Sequence, residues 1–400
     1  MIEGWRSERD AWLAIVSVDG VGEGILGRFI RRFGSARETL AVATDADAGR
    51  ALRRLMDAAP HHLSLDVAGR VRTAALDPEA MMRRLGALGA WVVTPLDGGY
   101  PARLRHLDPP PVALYGLGEL SVVGAQRSVA VVGTRRPTPS GRSLSARIAR
   151  RLVEADVRVV SGLAVGIAGA AHAATVDAHG RTVAVIGGGF DHPGPRAHDR
   201  LRAAILDTGG AIVSEHAPHV VPSVGTFPRR NRIISVLAVA TVVVEAPVRS
   251  GALITARHAL EQGRRLLVVP GRPGEPAAAG CLALLRETPA RPFVGLDEMI
   301  VDLGLDATSP AVDGVRALGY RAALGLLGPV ERAVAEVLHR GPATMDGLIA
   351  ATDLPPSIVA GALTLLQLRG WCHPMGAMQL PTGPLLASDD APTSRSEVVR

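Results

Sequence analysis

The sequence contains no lysine, a single asparagine and only two cysteines, and aromatic residues make up 3% of its 400 positions. All 44 residues in the lysine and arginine class are therefore arginine. Alanine and glycine are abundant as well, so a bias in composition accounts for the arginines as a class. Their number says little about a ligand, but their positions along the chain say more.

Other absences exclude whole classes of protein. No apolar run reaches the roughly 18 residues that a membrane span requires, and residues 1–10 lack the apolar stretch of a secretory signal. Cys281 and Cys372 match no metal-ligand spacing. With 47% hydrophobic and 20% charged residues, the chain can bury a sizeable core. We therefore expect a cytoplasmic, reduced, soluble protein with no membrane association, metal or cofactor.

The overall size and charge set broad limits. A chain of 400 residues predicts two or three domains. The net charge of +6 and the isoelectric point near 10.4 favour a polyanionic partner.

Residues 1–80 are predicted to form a small helical domain. Gly20 and Gly22 flank Val21 just before an amphipathic segment. That arrangement is typical of a helix–hairpin–helix turn, whose backbone amides can bind a DNA phosphate. The alternative is a glycine turn inside a small helical bundle.

Residues 81–300 show a different pattern, in which short apolar runs alternate with helical segments. The predicted strands cover residues 128–133, 157–161, 182–187, 211–215, 240–245 and 265–270. Strands that are apolar throughout and alternate with helices predict a parallel sheet covered on both faces. The fold class is therefore α/β, with an extended Rossmann-like, doubly wound and mostly parallel sheet. Ligands of such folds bind at the carboxyl ends of the strands.

The remaining residues are predicted to form a linker (301–322), a winged helix (323–381) and a disordered tail (382–400). Three helical segments followed by a short hairpin are typical of a winged helix. Arg369 is the only basic residue of its predicted third helix, whereas a helix that reads duplex DNA should carry more donors. We therefore expect this domain to bind protein or to serve a structural role.

The loop after the first predicted parallel strand has the composition of a phosphate site. Gly133 lets the backbone approach a ligand, and Thr134 and Arg135 then project from the sheet edge before a helix begins. That helix should supply free amides, and arginine can contact a phosphate in bidentate fashion. A purely structural strand–glycine–helix turn is the alternative.

Two further strand-end loops open helices with small residues or hydroxyls. Ser161, Gly162 and Gly166 leave backbone amides uncovered, although they match neither the dinucleotide fingerprint nor a Walker loop. Ser250, Gly251 and Thr255 begin another helix whose N-terminus could take an anion. His172, which follows the first of these loops, is interpreted as a packed side chain.

The most informative segment covers residues 226–235. Arg229, Arg230 and Arg232 surround Asn231, the only asparagine of the chain. We predict a loop that Asn231 fixes while the arginines face phosphates; a solvated charge run or a helix cap is the alternative. Phe227 is placed either as a stacking surface for a base or as a core anchor.

Together these loops predict one extended positive groove. Paired histidines, a nucleophile elbow, an HExxH motif and closely spaced carboxylates are all missing. Asp191 and Glu245 at strand ends could be acids or bases, and simple capping explains them equally well. We expect a binding protein without catalytic residues.

The order of these motifs resembles the DprA/Smf family of DNA-processing proteins. The resemblance is strong over roughly residues 95–290. The matching stretches are YPARL (100–104), DPPPVALYGLG (108–118), VVGTRRP (131–137), SGLAVGI (161–167), AVIGGG (184–189), SEHAP (214–218), FPRRNRIIS (227–235), SGALITA (250–256) and VVPG (268–271).

The resemblance implies a non-enzymatic homodimer that binds single-stranded DNA cooperatively and loads the RecA recombinase during natural transformation. It also implies a SAM-like N-terminal module and a C-terminal winged helix around the Rossmann-like domain. The residues it places in the DNA groove are Gly133, Thr134, Arg135, Ser161, Gly162, Gly166, Phe227, Arg229, Arg230, Asn231, Arg232, Ser250, Gly251 and Thr255.

The chain departs from the family pattern at three places. Ala168 stands where the family has an aspartate, Leu282 where it favours an asparagine, and His192-Pro193 where a tyrosine–proline pair is usual.

Two alternative functions belong to other classes. A nucleoside-monophosphate glycosidase of related fold would carry a loop with paired glycines, and residues 247–255 read PVRSGALIT instead. A nucleotide-sensing or transcription-linked module would use the winged helix as its reader.

Overall fold

The computed structural model describes residues 7–44, 65–77, 79–192, 194–305, 320–375, 378–381 and 385. The N-terminal part is helical, as predicted. Its helices are α1 (Glu8–Val16), α2 (Glu23–Phe33), α3 (Ala36–Thr44), α4 (Leu65–Leu76) and α5 (Ala80–Ala87). Their apolar faces enclose Trp12, Leu26 and Phe29, each at most 1% exposed. Gly20 has a φ of +89° and α2 begins after Gly22, so a tight turn lies where the sequence predicts one.

A nine-stranded sheet forms the centre of the molecule. Its strands are β1 (Trp91–Val93), β2 (Leu114–Gly118), β3 (Ser128–Val132), β4 (Arg158–Gly162), β5 (Thr182–Val185), β6 (Ala211–Ser214), β7 (Ala240–Val243), β8 (Arg265–Val268) and β9 (Arg291–Pro292). Their order in the sheet is β1-β2-β6-β5-β4-β3-β7-β8-β9. Strands β3 to β9 pair in parallel, and β2 joins β6 in antiparallel fashion. The mostly parallel, doubly wound sheet is thus confirmed.

Helices cover both faces of this sheet. They are α6 (Pro139–Glu154), α7 (Ile167–Asp177), α8 (Asp199–Asp207), α9 (Thr226–Leu237), α10 (Gly251–Glu261), α11 (Ala279–Glu287) and α12 (Leu296–Asp302). Val129 and Val131 of β3 pack towards α6 and α12, whereas Ala130 and Val132 pack towards α9 and α10. The chain winds outwards from β3 in both directions, so the topological switch lies between β3 and β7. Ligands of such sheets bind at that point.

A winged helix follows as the C-terminal unit. It contains α13 (Tyr320–Leu324), α14 (Pro329–Arg340), α15 (Met345–Thr352), α16 (Pro356–Leu368), β10 (Ala343–Thr344), β11 (Cys372–Met375) and β12 (Met378–Pro381). The sheet order is β10-β12-β11, all antiparallel. The predicted helices and hairpin are confirmed, and the short strand β10 is an addition.

Both ends of the predicted linker belong to the flanking units. Helix α12 continues to Asp302 and Leu305 is buried in the core of the large domain, while Tyr320 already begins a helix of the winged unit. Residues 306–319 and all of the predicted tail except Leu385 lie outside the described residues. Leu385 itself is buried in the winged-helix core.

Within the described ranges, no single helix has the length and apolarity that crossing a bilayer requires. Helices α15 and α16 meet that criterion only as a pair, bent by 112°.

Candidate nucleic-acid interface

A cavity of about 490 Å³ opens at the topological switch, where β3, β4 and β7 end. The loops after these strands and one face of α9 line it. The predicted site residues that it brings together are Gly133, Thr134, Arg135, Ser161, Gly162, Phe227, Arg230, Asn231, Ser250, Gly251 and Thr255. Gly166, Arg229 and Arg232 do not line it.

The cavity has two levels of positive charge. Arg135, Arg136 and Arg249 are exposed around its rim, whereas Arg230 is buried at its floor. Among the described residues that line it there is no carboxylate. The sequence interpretation missed Arg136 and Arg249, although both directly adjoin residues that it selected.

The segment 226–235 is helical, so the predicted loop is wrong. Helix α9 begins at Thr226 with Pro228 in its first turn, where proline costs no hydrogen bond. The apolar run from Ile233 onwards packs the helix against the sheet. The cluster of arginines suggested a surface loop, but the apolar residues that follow it determine the conformation.

Helical spacing divides the arginine cluster between two faces. Phe227, Arg230, Asn231 and Ile234 are separated by the i, i+3, i+4, i+7 pattern, and all four line the cavity. The side chains of Arg229 and Arg232 point towards Glu215 instead. Only one of the three arginines therefore reaches the cavity.

Arg230 is a buried cation without a carboxylate partner in the described structure. The residue is 7% exposed, its Nη1 donates to the carbonyl of Val185 at 2.5 Å, and its Nε is buried without a partner. Burial, and then the nearby charge of Arg135, lower the pKa of Arg230 to about 10. The group stays protonated at neutral pH and offers an anion an unneutralised charge.

Gly162 makes the space for this guanidinium. A Cβ built on Gly162 would overlap the Arg230 side chain. Glycine is therefore needed here for close approach, which refines the predicted role of leaving amides uncovered for a phosphate.

Arg135 lies over the ring of Phe227, with its Cζ 5.4 Å from the ring centroid. A Cβ at Gly187 would come 3.1 Å from the Cδ1 of the same ring. At 37% exposed, Phe227 is not a core anchor. A base could stack on this ring where Arg135 now lies, so the predicted stacking role requires Arg135 to move.

Asn231 stabilises the loop before α10, whereas the sequence predicted that it would fix a loop around itself. Its side-chain amide donates to the carbonyl of Gly251 at 3.2 Å, and Ser250 caps the helix that begins there. The bond connects α9 to the N-terminus of α10. It thereby positions the segment that carries Arg249.

The N-terminus of α6 is already occupied by a side chain of the protein. The amide of Thr138 donates to Glu245 Oε2 at 2.9 Å, and the Thr138 hydroxyl bonds the other carboxylate oxygen. A Cβ on Gly141 would overlap this carboxylate. Thr138 is the N-cap of the helix, since its hydroxyl accepts from the amide of Gly141 at 3.0 Å and its carbonyl from the amide of Arg142 at 3.0 Å, and Glu245 holds Thr138 in place. The prediction of free amides is therefore wrong for Gly141 and Arg142.

Gly166 supports the cavity from behind. Its φ of +91° favours glycine, and a Cβ would overlap the backbone of Thr134 and Arg135. The next amide, of Ile167, donates to the carbonyl of Thr134 at 3.2 Å. Gly166 thus holds the turn that presents Arg135.

Glu215 neutralises the two arginines whose side chains point away from the cavity. Its carboxylate, 5% exposed, accepts from Arg229 Nε at 2.5 Å and from Arg232 Nη2 at 2.6 Å. Arg232 also donates to the carbonyl of Pro109 at 2.7 Å. Glu215 lies in the SEHAP stretch, but it is 14 and 17 residues away from these arginines along the chain, so the sequence gave no sign of this pairing.

His172 is packed, as its interpretation expects. It is fully buried, and its Nδ1 lies 2.8 Å from the hydroxyl of Thr182. Burial, and then the neighbouring His198, lower the pKa of His172 to about 3, so the ring is neutral at physiological pH. Ala168, one of the departures from the family pattern, lines the cavity, and Leu282 is half-buried on α11.

Comparison with known proteins gives concordant matches. The family model described as DNA recombination-mediator protein A matches residues 91–304, and the DprA winged helix domain matches residues 321–377. A DprA-type DNA processing protein of Mycobacterium tuberculosis (strain H37Rv) is 40% identical over 316 residues, covering 74% of this chain and 77% of that protein. Protein Smf of Synechocystis is 31% identical over 393 residues, covering 91% and 96%.

A solved structure of the same family is similar to this chain. The DNA processing protein A of Streptococcus pneumoniae superposes with a TM-score of 0.59 at 27% identity, covering 74% of this chain and 98% of that one.

Proposed function

Because this chain belongs to the DprA/Smf family of DNA-processing proteins, we propose that it binds single-stranded DNA in the cavity at the ends of β3, β4 and β7. The observation that carries the proposal is the set of four arginines, one of them buried, on a lining that includes no carboxylate among its described residues. Such a surface is suited to phosphates, and backbone contacts dominate the affinity for nucleic acids.

The shape of the cavity favours a single strand over a duplex. A concave site of about 490 Å³ has the size of one small ligand. A stiff duplex keeps its phosphates on a convex surface, whereas a single strand can bend one nucleotide into a cavity and stack its base on an aromatic ring. Phe227, partly exposed at the rim, is the ring in reach.

The winged helix supports the same assignment. Helix α16, in the position of a recognition helix, carries no charged residue along its 13 positions. It exposes Ile358, Leu365 and Leu368. A helix that enters the major groove needs donors and cations instead, so we assign DNA binding to the cavity and a structural or protein-binding role to the winged helix.

We further propose that the bound strand is protected and passed to the RecA recombinase during DNA uptake and transformation, that the protein acts as a homodimer in the cytoplasm, and that it needs no cofactor. Family membership supports these finer statements. Hydrolysis of nucleoside monophosphates is the alternative activity, and product analysis with purified protein tests it directly.

Binding should depend steeply on salt, and the rim arginines should set part of that dependence. For single strands the logarithm of the binding constant falls with the logarithm of salt concentration by about 0.7 per phosphate contact. Arg135→Ala combined with Arg249→Ala should therefore make the slope shallower by roughly 1.4. The measurement is fluorescence anisotropy with a labelled strand and its duplex over a salt series.

Arg229→Ala is the matched control, because Arg229 pairs with Glu215 outside the cavity. It should leave the slope unchanged. Equal affinity for single strand and duplex, together with an unaltered slope in the double variant, would place the DNA elsewhere.

A further inference from the structure

The two levels of charge point to a preference within the same site: we propose that the floor of the cavity binds a phosphate monoester, such as the terminal phosphate of a DNA strand, in preference to an internal phosphodiester. This inference rests on the proposed function and specifies which phosphate each arginine meets. Internal phosphates would contact the exposed rim arginines, and a terminal phosphate would reach Arg230.

The depth at which each arginine lies determines which kind of phosphate can contact it. Arg230 is 7% exposed and lies beneath Gly162, whereas Arg135, Arg136 and Arg249 are open to solvent. An internal phosphodiester continues into a nucleotide on both sides. To bring it to the floor, both neighbours must enter a cavity of about 490 Å³, which has the size of one small ligand. A monoester has one attachment and can enter with its chain leaving through the mouth.

Charge leads to the same conclusion. In the described structure Arg230 forms no ion pair, and its Nε has no hydrogen-bond partner. The charge that acts on it most strongly is Arg135, also positive. Two cations without a counter-charge match a dianion better than a monoanion. A phosphate monoester carries about −1.5 to −2 at pH 7, with a second pKa near 6, whereas a diester carries a single charge.

The experiment compares short strands of one sequence that differ only at their ends. Unlabelled 12-mers with a 5′-phosphate, a 3′-phosphate or two hydroxyl ends compete with an internally labelled strand for the full-length protein. At pH 7.5 we expect at least one phosphorylated strand to compete about tenfold better than the hydroxyl strand, the effect of one charge-assisted hydrogen-bonding group. Between pH 7.5 and pH 5 the difference should shrink, because the monoester loses its second charge near pH 6.

Two variants and a pair of small ligands show which part of the cavity causes the difference between the strands. Arg230→Met should abolish the difference between strands, while Arg249→Met at the rim should weaken all strands and keep their ratio. Deoxyadenosine monophosphate is compared with deoxyadenosine. If the monophosphate competes and the nucleoside does not, a free phosphate monoester is sufficient for binding. If the phosphorylated strands compete well and the free monophosphate does not, the site binds the phosphorylated end of a strand.

The outcomes separate this inference from the proposed function. Equal competition by all three strands, with Arg230→Met weakening each of them, overturns the monoester preference and leaves the DNA site in place. If Arg230→Met changes no strand's competition, both the preference and the assignment of the cavity are wrong. The competition by phosphorylated strands relative to the hydroxyl strand, measured with the unaltered protein, is decisive by itself. The test therefore does not depend on how a variant folds.

Discussion

Replacement of Arg230 by methionine should weaken binding of single-stranded DNA that carries a terminal phosphate about tenfold or more. At the same time, it should raise the free energy of unfolding by up to about 1.5 kcal/mol. The loss of binding follows from removing a charged donor from the floor of the cavity, which costs about 1.5–3 kcal/mol. The gain in stability follows from removing a buried charge that no carboxylate balances.

The lowered pKa of Arg230 determines the sign of the stability change. Burial lowers the pKa of Arg230 from 12.5 to about 10, so the folded state holds this proton less tightly than the unfolded state does. At every pH below about 10 the charged group therefore destabilises the fold, by roughly 3 kcal/mol. The substitution also removes the hydrogen bond that the charged guanidinium donates to the carbonyl of Val185, worth about 1.5–3 kcal/mol. A net gain of up to about 1.5 kcal/mol therefore remains.

Urea denaturation and anisotropy on the same preparations measure both effects. Arg249→Met is the control: this exposed rim arginine should lower DNA affinity with a stability change within about 0.5 kcal/mol. A methionine variant that is less stable than the original protein and binds DNA as well would contradict the account. The expected pattern is that of a functional site that lowers stability.

Replacement of Glu215 by alanine should lower the free energy of unfolding by ~3 kcal/mol. The carboxylate is 5% exposed and pairs with Arg229 and with Arg232, whose side chain is 12% exposed. Removing it leaves the guanidinium of Arg232 buried next to Arg229, with no other counter-charge among the residues that the structure describes. The midpoint of urea denaturation measures the effect.

The controls for this substitution come from the same cluster. Arg229→Ala should cost less than about 1 kcal/mol, because its side chain is 42% exposed and its ion pair is screened by solvent. Adding Arg232→Met to Glu215→Ala should recover part of the loss, since the two sites are coupled. An unchanged midpoint for Glu215→Ala would mean that the cluster does not stabilise the fold.

The architecture could be predicted because it follows from local patterns. Uninterrupted apolar runs such as residues 128–133 and 240–245, separated by helical segments, define a parallel sheet whatever the details of its loops. The location of the cavity followed for the same reason, since the carboxyl ends of such strands meet at one edge. The antiparallel strands β1 and β2 at the sheet's other end carried no such signal.

What the sequence could not show was which way the side chains point within the segment that it singled out. Reading residues 226–235 as a loop placed all three arginines on one surface, whereas helical geometry sends Arg230 into the cavity and Arg229 and Arg232 to Glu215. The partner of Thr138 was hidden likewise, because Glu245 lies 107 residues further along the chain. Pairings between distant strand ends depend on tertiary structure, and a single sequence does not contain them.

The most direct test of the central claim is hydrogen–deuterium exchange of the full chain with and without a saturating single strand. We expect slower exchange at residues 133–136, 162–166 and 250–255, the loops around the cavity. Exchange should not change at residues 18–22, the glycine turn of the helical domain, or along α16. Protection confined to that turn or to α16, with the cavity loops unchanged, would show that the DNA binds elsewhere.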